Sequence, residues 1–249
     1  MKFVLLVTAV AMCAVSGLGF TQSAPPKAGA TSGAGQNQAA QGAKPPAAAA
    51  GEAAKSGEGE AAKPDLAKAQ QIVNQVCAAC HGGNGNSPSS ANPSLAGQPA
   101  EYITLQLAHF KAGIRVNPIM TAMAAPLSPD DMKSLGAYFS QQAARTTGAK
   151  SAELASTGQK IFRGGSAANG VPACAACHAA NGAGIPARYP RLGGQHADYT
   201  LAQLKAFKAG ERGMDKEGKD ANGRIMAQIA GRMSEADMRA VAEYTAGLR

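Results

Sequence analysis

The pentapeptide Cys-Ala-Ala-Cys-His occurs twice in this 249-residue chain, at residues 77–81 and 174–178, 97 positions apart. Two thiols three residues apart lie on one helical turn, where each can add to a vinyl group of a porphyrin; Cys-x-x-Cys-His is the attachment spacing of c-type haem. A histidine four residues after the first cysteine falls on the same face of the turn, which places His81 and His178 beneath the iron as proximal ligands. The predicted cofactors are therefore two covalently attached haem c groups, one on Cys77 and Cys80 and one on Cys174 and Cys177. The fifth cysteine, Cys13, lies in an N-terminal apolar stretch. The haems consume the other four, so no disulfide is expected.

An iron held by histidine takes a second axial ligand or stays open, and a downstream methionine is the natural donor. Met120 and Met123 compete for this role after the first motif, and Met214, Met226 and Met233 after the second. An internal duplication decides between them. At an offset of 97, Pro93, Leu95, Gly97, Gln98 and Tyr102 match Pro190, Leu192, Gly194, Gln195 and Tyr199. Gln106, Leu107, Phe110 and Gly113 likewise match Gln203, Leu204, Phe207 and Gly210. The offset then becomes 106, pairing Ile119-Met120 with Ile225-Met226 and Ser128 with Ser234. Only Met120 and Met226 occupy equivalent positions, and they are the predicted sixth ligands. The second copy carries a nine-residue insertion in the polar segment 211–223, whose composition suits an exposed loop. His109 and His196 have no mutual counterpart and read as surface or propionate-region residues. The repeated Tyr102/Gln106 and Tyr199/Gln203 pairs could reach propionates near a contact between the copies.

The elements that must position these ligands read as helices. Pro99 precedes an amphipathic stretch from Ala100 that stops at Gly113. Ser128-Pro129-Asp130-Asp131 offers an N-cap, a proline at the first helical position and an acid at the third, and Ser234 to Asp237 starts the twin helix. No stretch alternates with period two, so the fold is predicted all-α with few strands. There is no Trp and aromatic residues make up 4% of the chain; two small cores would need the apolar bodies of the macrocycles. Four segments follow. Residues 1–21 read as a signal peptide which, if left uncleaved, would anchor the chain in a membrane. Residues 22–64, almost wholly Ala, Gly, Pro, Gln, Ser and Lys, read as a disordered linker or tail. Residues 65–148 and 149–249 are the two haem domains.

The motif run 77–88, Leu95-Ala96-Gly97-Gln98, Phe162-Arg163-Gly164-Gly165, Leu192-Gly193-Gly194-Gln195-His196 and the two Ile-Met segments together resemble the di-haem cytochromes c4, over about residues 66–249. The resemblance implies two tandem class I cytochrome c folds packed about a pseudo-twofold axis. It also implies His81/Met120 and His178/Met226 as axial pairs, with the carbonyls of Pro93 and Pro190 accepting the other ring N–H of each histidine. Two departures stand out. The second copy has Gly158 where class I folds pack a small residue against the C-terminal helix, while the first offers Ala69 or Gln70. The Ala/Pro-rich segment is also foreign to the family pattern.

The formal net charge is +8, concentrated from residue 150 onward, where 14 basic residues face 9 acidic ones. An exported protein with no nucleic-acid motif turns such charge toward acidic protein partners. With both axial positions filled, neither iron offers a site for a small-molecule substrate. The family implies a periplasmic electron carrier, not an enzyme, between a quinol-oxidising cytochrome bc complex and a terminal oxidase. The competing readings are a di-haem enzyme such as a peroxidase or thiosulfate dehydrogenase, in which one iron loses or replaces its methionine, and the electron-accepting subunit of a periplasmic dehydrogenase.

Overall fold

The computed structural model describes residues 63–249. The signal peptide or anchor and nearly all of the Ala/Pro-rich segment fall outside the described residues. In the first copy α1 (Leu66–Ile72) runs through a π turn, Val73–Cys77, into α2 (Ala78–His81), followed by α3 (Ala100–Lys111), α4 (Pro118–Ala124) and α5 (Pro129–Ser140). The second copy repeats the order with α6 (Ala152–Gly164), α7 (Ala175–His178), α8 (Ala197–Lys208), α9 (Ala221–Gly231) and α10 (Glu235–Gly247). Among the described residues there is no strand, only two isolated antiparallel bridges, Ser166 with Val171 and Ile185 with Tyr189. No helix of the described residues is long and apolar enough to cross a membrane.

Local chemistry sets the helix boundaries. Ser128 and Asp131 form a reciprocal capping box at the start of α5, and Ser234 and Asp237 form the same box on α10. Each box satisfies two amide donors that the first helical turn leaves free. Pro99 and Gly113 bracket α3, with Gly113 in the left-handed region at φ 73°. Asn117 caps α4 through the amide of Met120, with Pro118 at the first helical position. Asp220 caps α9 through the amide of Gly223.

Each copy has its own core. In the first, Ala69, Val73, Ile103, Leu135, Tyr138 and Phe139 are buried together, with Ile72, Cys77, Leu95, Leu107 and Leu127 half-covered at its edge. In the second, Phe162, Leu204, Phe207, Met233, Met238 and Val241 are buried, with Cys174, Leu192, Leu201, Met226 and Leu248 half-covered. Ala69 is fully buried while Gln70 is exposed, so Ala69 is the small residue of α1. On α6, a Cβ at Gly158 would overlap the carbonyl of Ala240 and approach Cβ of Tyr244 to 2.9 Å, so this glycine is what lets α6 close on α10.

The insertion departs from the exposed loop its composition suggests. Its middle is exposed, but Arg212, Gly213, Asp220 and Gly223 at its two ends are buried. The polar residues there are spent on specific bonds: Asp220 caps α9, its backbone amide is held by Asp215 at 3.0 Å, and Arg212 enters the contact between the copies.

Two predictions follow from this packing. Gly158→Ala should force α6 from α10 and lower stability by roughly 2–3 kcal/mol, read as a lower denaturant midpoint of the haem-loaded protein; an unchanged midpoint would show the contact to be slack. Asp131 bonds Lys68 on α1 and the Ser128 cap, and the Lys68 bond, followed by the Ser128 bonds, holds its carboxyl down at about 2 against an ordinary 3.8. A depressed carboxylate stabilises the fold fully above its unfolded pKa and loses that contribution as pH falls through the folded one. Asp131→Ala should therefore lower stability at pH 7 by about 1 kcal/mol. It should also flatten the acid loss between pH 4 and pH 2, which denaturant titrations across that window would show.

Candidate haem-binding sites

The π turn ends on Cys77, so the attachment residues of the first copy continue the same helical rod as α1. In the second copy α6 stops at Gly165 and a bridged loop intervenes before Cys174, which stands at the N-cap of α7. The four motif cysteines form no disulfide with one another, and burial pushes the Cys77 and Cys174 thiols up to about 11, which marks an apolar setting. His81 and His178 retain 8% and 5% exposure. Burial lowers the pKa of both rings against the opposing pull of a carbonyl bond, so both are neutral imidazoles. His81 Nδ1 lies 2.8 Å from the carbonyl oxygen of Pro93, and His178 Nδ1 lies 2.9 Å from that of Pro190. A carbonyl can only accept, so the proton sits on Nδ1 and the Nε2 lone pair is left for a metal.

The chain reverses direction directly after each histidine. Gly82 does so at φ 75°, ψ 147°, where a Cβ would meet the Asn86 carbonyl. At the equivalent place Ala179 is held at φ 66°, ψ 155°, a region other residues than glycine enter only under strain of about 1–3 kcal/mol.

The methionines separate by burial. Met120 is half-buried on α4, where its own amide is bound by the Asn117 cap at 2.9 Å. Met226 is half-buried on α9 against the second core. Met123 and Met214 are 42% and 56% exposed, whereas Met233, at 2%, is a core residue.

Between the copies lies a cluster that reading the sequence did not resolve. Arg115 donates to Gln106 of its own copy at 2.7 Å and to Tyr199 and Gln203 of the other, both at 2.9 Å. Arg212 mirrors it, donating to Gln203 at 2.7 Å, Tyr102 at 2.9 Å and Gln106 at 3.2 Å. Each guanidinium also lies over a phenylalanine of its own copy, Phe110 and Phe207, at 4.6 and 4.5 Å. The Tyr and Gln pairs, whose sequence was equally compatible with propionate-binding, core and helix-surface roles, hold the two arginines. Burial pushes the Tyr199 hydroxyl up, but the two guanidinium charges outweigh it and its pKa is lowered. Arg115 and Arg212 are themselves partners at the offset of 97, the last pair before the insertion, and that match was the available signal. His109 is buried, 3.9 Å from Asp220, and His196 reaches the Ser87 carbonyl at 3.0 Å, so both histidines serve the contact between the copies.

Haem fits these residues. Each copy presents two free thiols, a neutral imidazole with its Nε2 unengaged, and half-covered apolar side chains around them. Arg212 Nε is buried without a partner, a donor suited to a carboxylate such as a propionate. A helical tandem with two such sites is a c-type cytochrome built by duplication. The Cytochrome c family profile matches residues 155–248, and that of cytochrome c oxidase, cbb3-type, subunit III matches residues 64–139. The chain is 41% identical to cytochrome c4 of Pseudomonas aeruginosa over 183 residues, covering 73% of this chain and 88% of that one. It is 38% identical to a thiosulfate dehydrogenase electron acceptor of Thiomonas intermedia, covering 68% and 77%. The crystal structure of reduced cytochrome c4 from Pseudomonas stutzeri superposes with a TM-score of 0.68 at 41% identity, covering 75% of this chain and 100% of that one. The chain belongs to the cytochrome c4 family: it is a di-haem electron-transfer protein with two covalently bound haem c groups and redox proteins for partners.

The strain at Ala179 yields a test. Ala179→Gly should raise stability by about 1 kcal/mol after the extra flexibility of glycine is subtracted, read as a higher denaturant midpoint of the haem-loaded protein. A lower midpoint would mean that the backbone there is relaxed.

Proposed function

We propose that this chain is an exported, periplasmic carrier with two closed haem domains, residues 65–148 and 149–249, passing electrons from a quinol-oxidising cytochrome bc complex to a terminal oxidase. The observation that carries this reading is the symmetry of the ligand sets. In each copy a neutral histidine is oriented by a proline carbonyl, and a half-buried methionine stands at the equivalent repeat position on a capped helix. On this reading Cys77 and Cys80, with Cys174 and Cys177, hold the cofactors, and His81/Met120 and His178/Met226 are the axial pairs. Pro93 and Pro190 keep the proton on each Nδ1.

Bound haem supplies reversible one-electron chemistry at iron, and a thioether ligand favours the reduced state. The residues of this chain hold rather than react. The Asn117 and Asp220 caps fix the helices that bear Met120 and Met226, and the Nδ1 bonds keep the imidazoles from turning. With His81 and Met120 holding one haem and His178 and Met226 the other, neither iron would be left open to a substrate. The excess of basic residues after position 150 suits an acidic docking partner, with association that weakens as salt rises. An uncleaved leader at residues 1–21 would tether the carrier to the membrane. The relative that serves as a thiosulfate dehydrogenase electron acceptor favours a second reading, in which this chain takes its electrons from such an enzyme.

The test is absorption spectroscopy of the purified protein. Met120→Ala should remove about half of the ferric methionine–iron charge-transfer band, and Met226→Ala the other half, while Met123→Ala leaves it intact. Carbon monoxide should bind poorly to the reduced protein. Ready binding at one haem, or a band that survives loss of Met120, would overturn this assignment.

A further inference from the structure

The peptide group that steadies each histidine is shared across the two copies. The carbonyl of Pro93 accepts from His81 Nδ1, and the amide N–H of the same peptide, on Ser94, donates to Gln195 Oε1 of the other copy at 2.9 Å. Gln195 Nε2 donates back to the Ser94 carbonyl, also at 2.9 Å. The mirror arrangement is complete: His178 Nδ1 bonds the Pro190 carbonyl, Arg191 N–H donates to Gln98 Oε1 at 2.6 Å, and Gln98 Nε2 donates to the Arg191 carbonyl at 3.1 Å. Both glutamines are buried, with 6% and 8% exposure. Each is anchored from behind, because the glycine before it bonds the end of its own copy's last helix, Gly97 N to Phe139 O and Gly194 N to Thr245 O, both at 2.9 Å.

We propose that Gln98 and Gln195 are positioning residues that tune the haem of the opposite copy, each acting through one peptide group on the far axial histidine. The inference rests on the ligand assignment above. A hydrogen bond accepted from the N–H of an amide polarises its C=O, and chains of such bonds strengthen one another. Gln195 therefore makes the Pro93 carbonyl a better acceptor. His81 in turn gains imidazolate character, becomes a more basic ligand and favours the oxidised iron. Gln98 does the same for His178. Each domain lowers the potential of its neighbour's haem, so neither domain alone would have the potential it has in the pair. The glutamine reads only backbone, which is why the position it reads is Ser94 in one copy and Arg191 in the other.

Spectroelectrochemistry and proton NMR of the full haem-loaded chain test this, with the resonances of each domain identifying its haem. Gln195→Met keeps the volume but removes both bonds to the other copy, together with the one its Oε1 accepts from the His196 amide at 3.1 Å. It should shift the reduction equilibrium of the first domain's haem about threefold toward the reduced form, ~30 mV upward at 59 mV per tenfold, with a smaller change in the second. Gln98→Met should do the converse. Gln195→Glu, which keeps an acceptor and adds negative charge, should shift the first haem the other way. The His81 Nδ1–H resonance should move upfield in Gln195→Met while the axial methionine methyl signals persist. A variant that moves the haem of its own domain more than the opposite one, moves both equally, or moves neither would overturn the inference. So would methionine and glutamate variants that shift in the same direction, since that marks a packing effect. Failure of the ligand assignment would look different, as missing ring-current-shifted His81 and Met120 signals in the unsubstituted protein.

Discussion

The hydrogen bond from each histidine to a proline carbonyl twelve residues ahead constrains almost everything around it. For that bond to form, the chain must reverse immediately after the histidine, which Gly82 does freely and Ala179 does under strain. The loop must then return past the ring and end against the C-terminal helix of its own copy, where Gly97 meets Phe139 and Gly194 meets Thr245. That helix is in turn located by its capping box and by close approach to the first helix, at Ala69 in one copy and Gly158 in the other. Imidazole orientation is therefore the end of a chain of packing decisions.

The contact between the copies has an unusual charge balance. Two guanidinium groups converge on neutral acceptors, two tyrosines and two glutamines, with Arg212 almost wholly buried. Burying cations against neutral partners is unfavourable unless an anion is near, and one donor, Arg212 Nε, is still without a partner. Stacking on Phe110 and Phe207 recovers part of that loss. Burial disfavours the Arg212 charge, but Tyr102, Tyr199 and the buried carboxylate of Asp220 outweigh it and keep the guanidinium protonated.

What could be read from sequence divides along physical lines. Covalent attachment tolerates no variation in spacing, so Cys77 to His81 and Cys174 to His178 announced themselves. Helix caps are local chemistry, so the Ser128 and Ser234 starts were legible, and Asn117-Pro118 carried the same kind of signal. Met120 and Met226 emerged from the repeat rather than from any property of methionine. The arginine cluster was not legible, because its partners across the two copies lie between 84 and 110 positions apart and nothing local distinguishes a glutamine that spans an interface from one on a surface. The insertion misled for a related reason: its composition is polar, but Arg212 and Asp220 are buried with partners that composition does not reveal.

Duplication explains why so much of the contact is reciprocal. When residue i of one copy meets residue j of the other, the twofold relation brings j to i as well, so one favourable pairing counts twice. The glutamine bonds and the arginine cluster both have this form. Divergence then concentrates where side chains are not read: Ser94 against Arg191, the π turn of the first copy against the bridged loop of the second, and the insertion before α9. Such differences make the two haem environments unequal without disturbing the bonds that join them. A carrier with two stations needs both properties, since unequal sites give the electron a preferred resting place and a fixed contact keeps the passage between them constant.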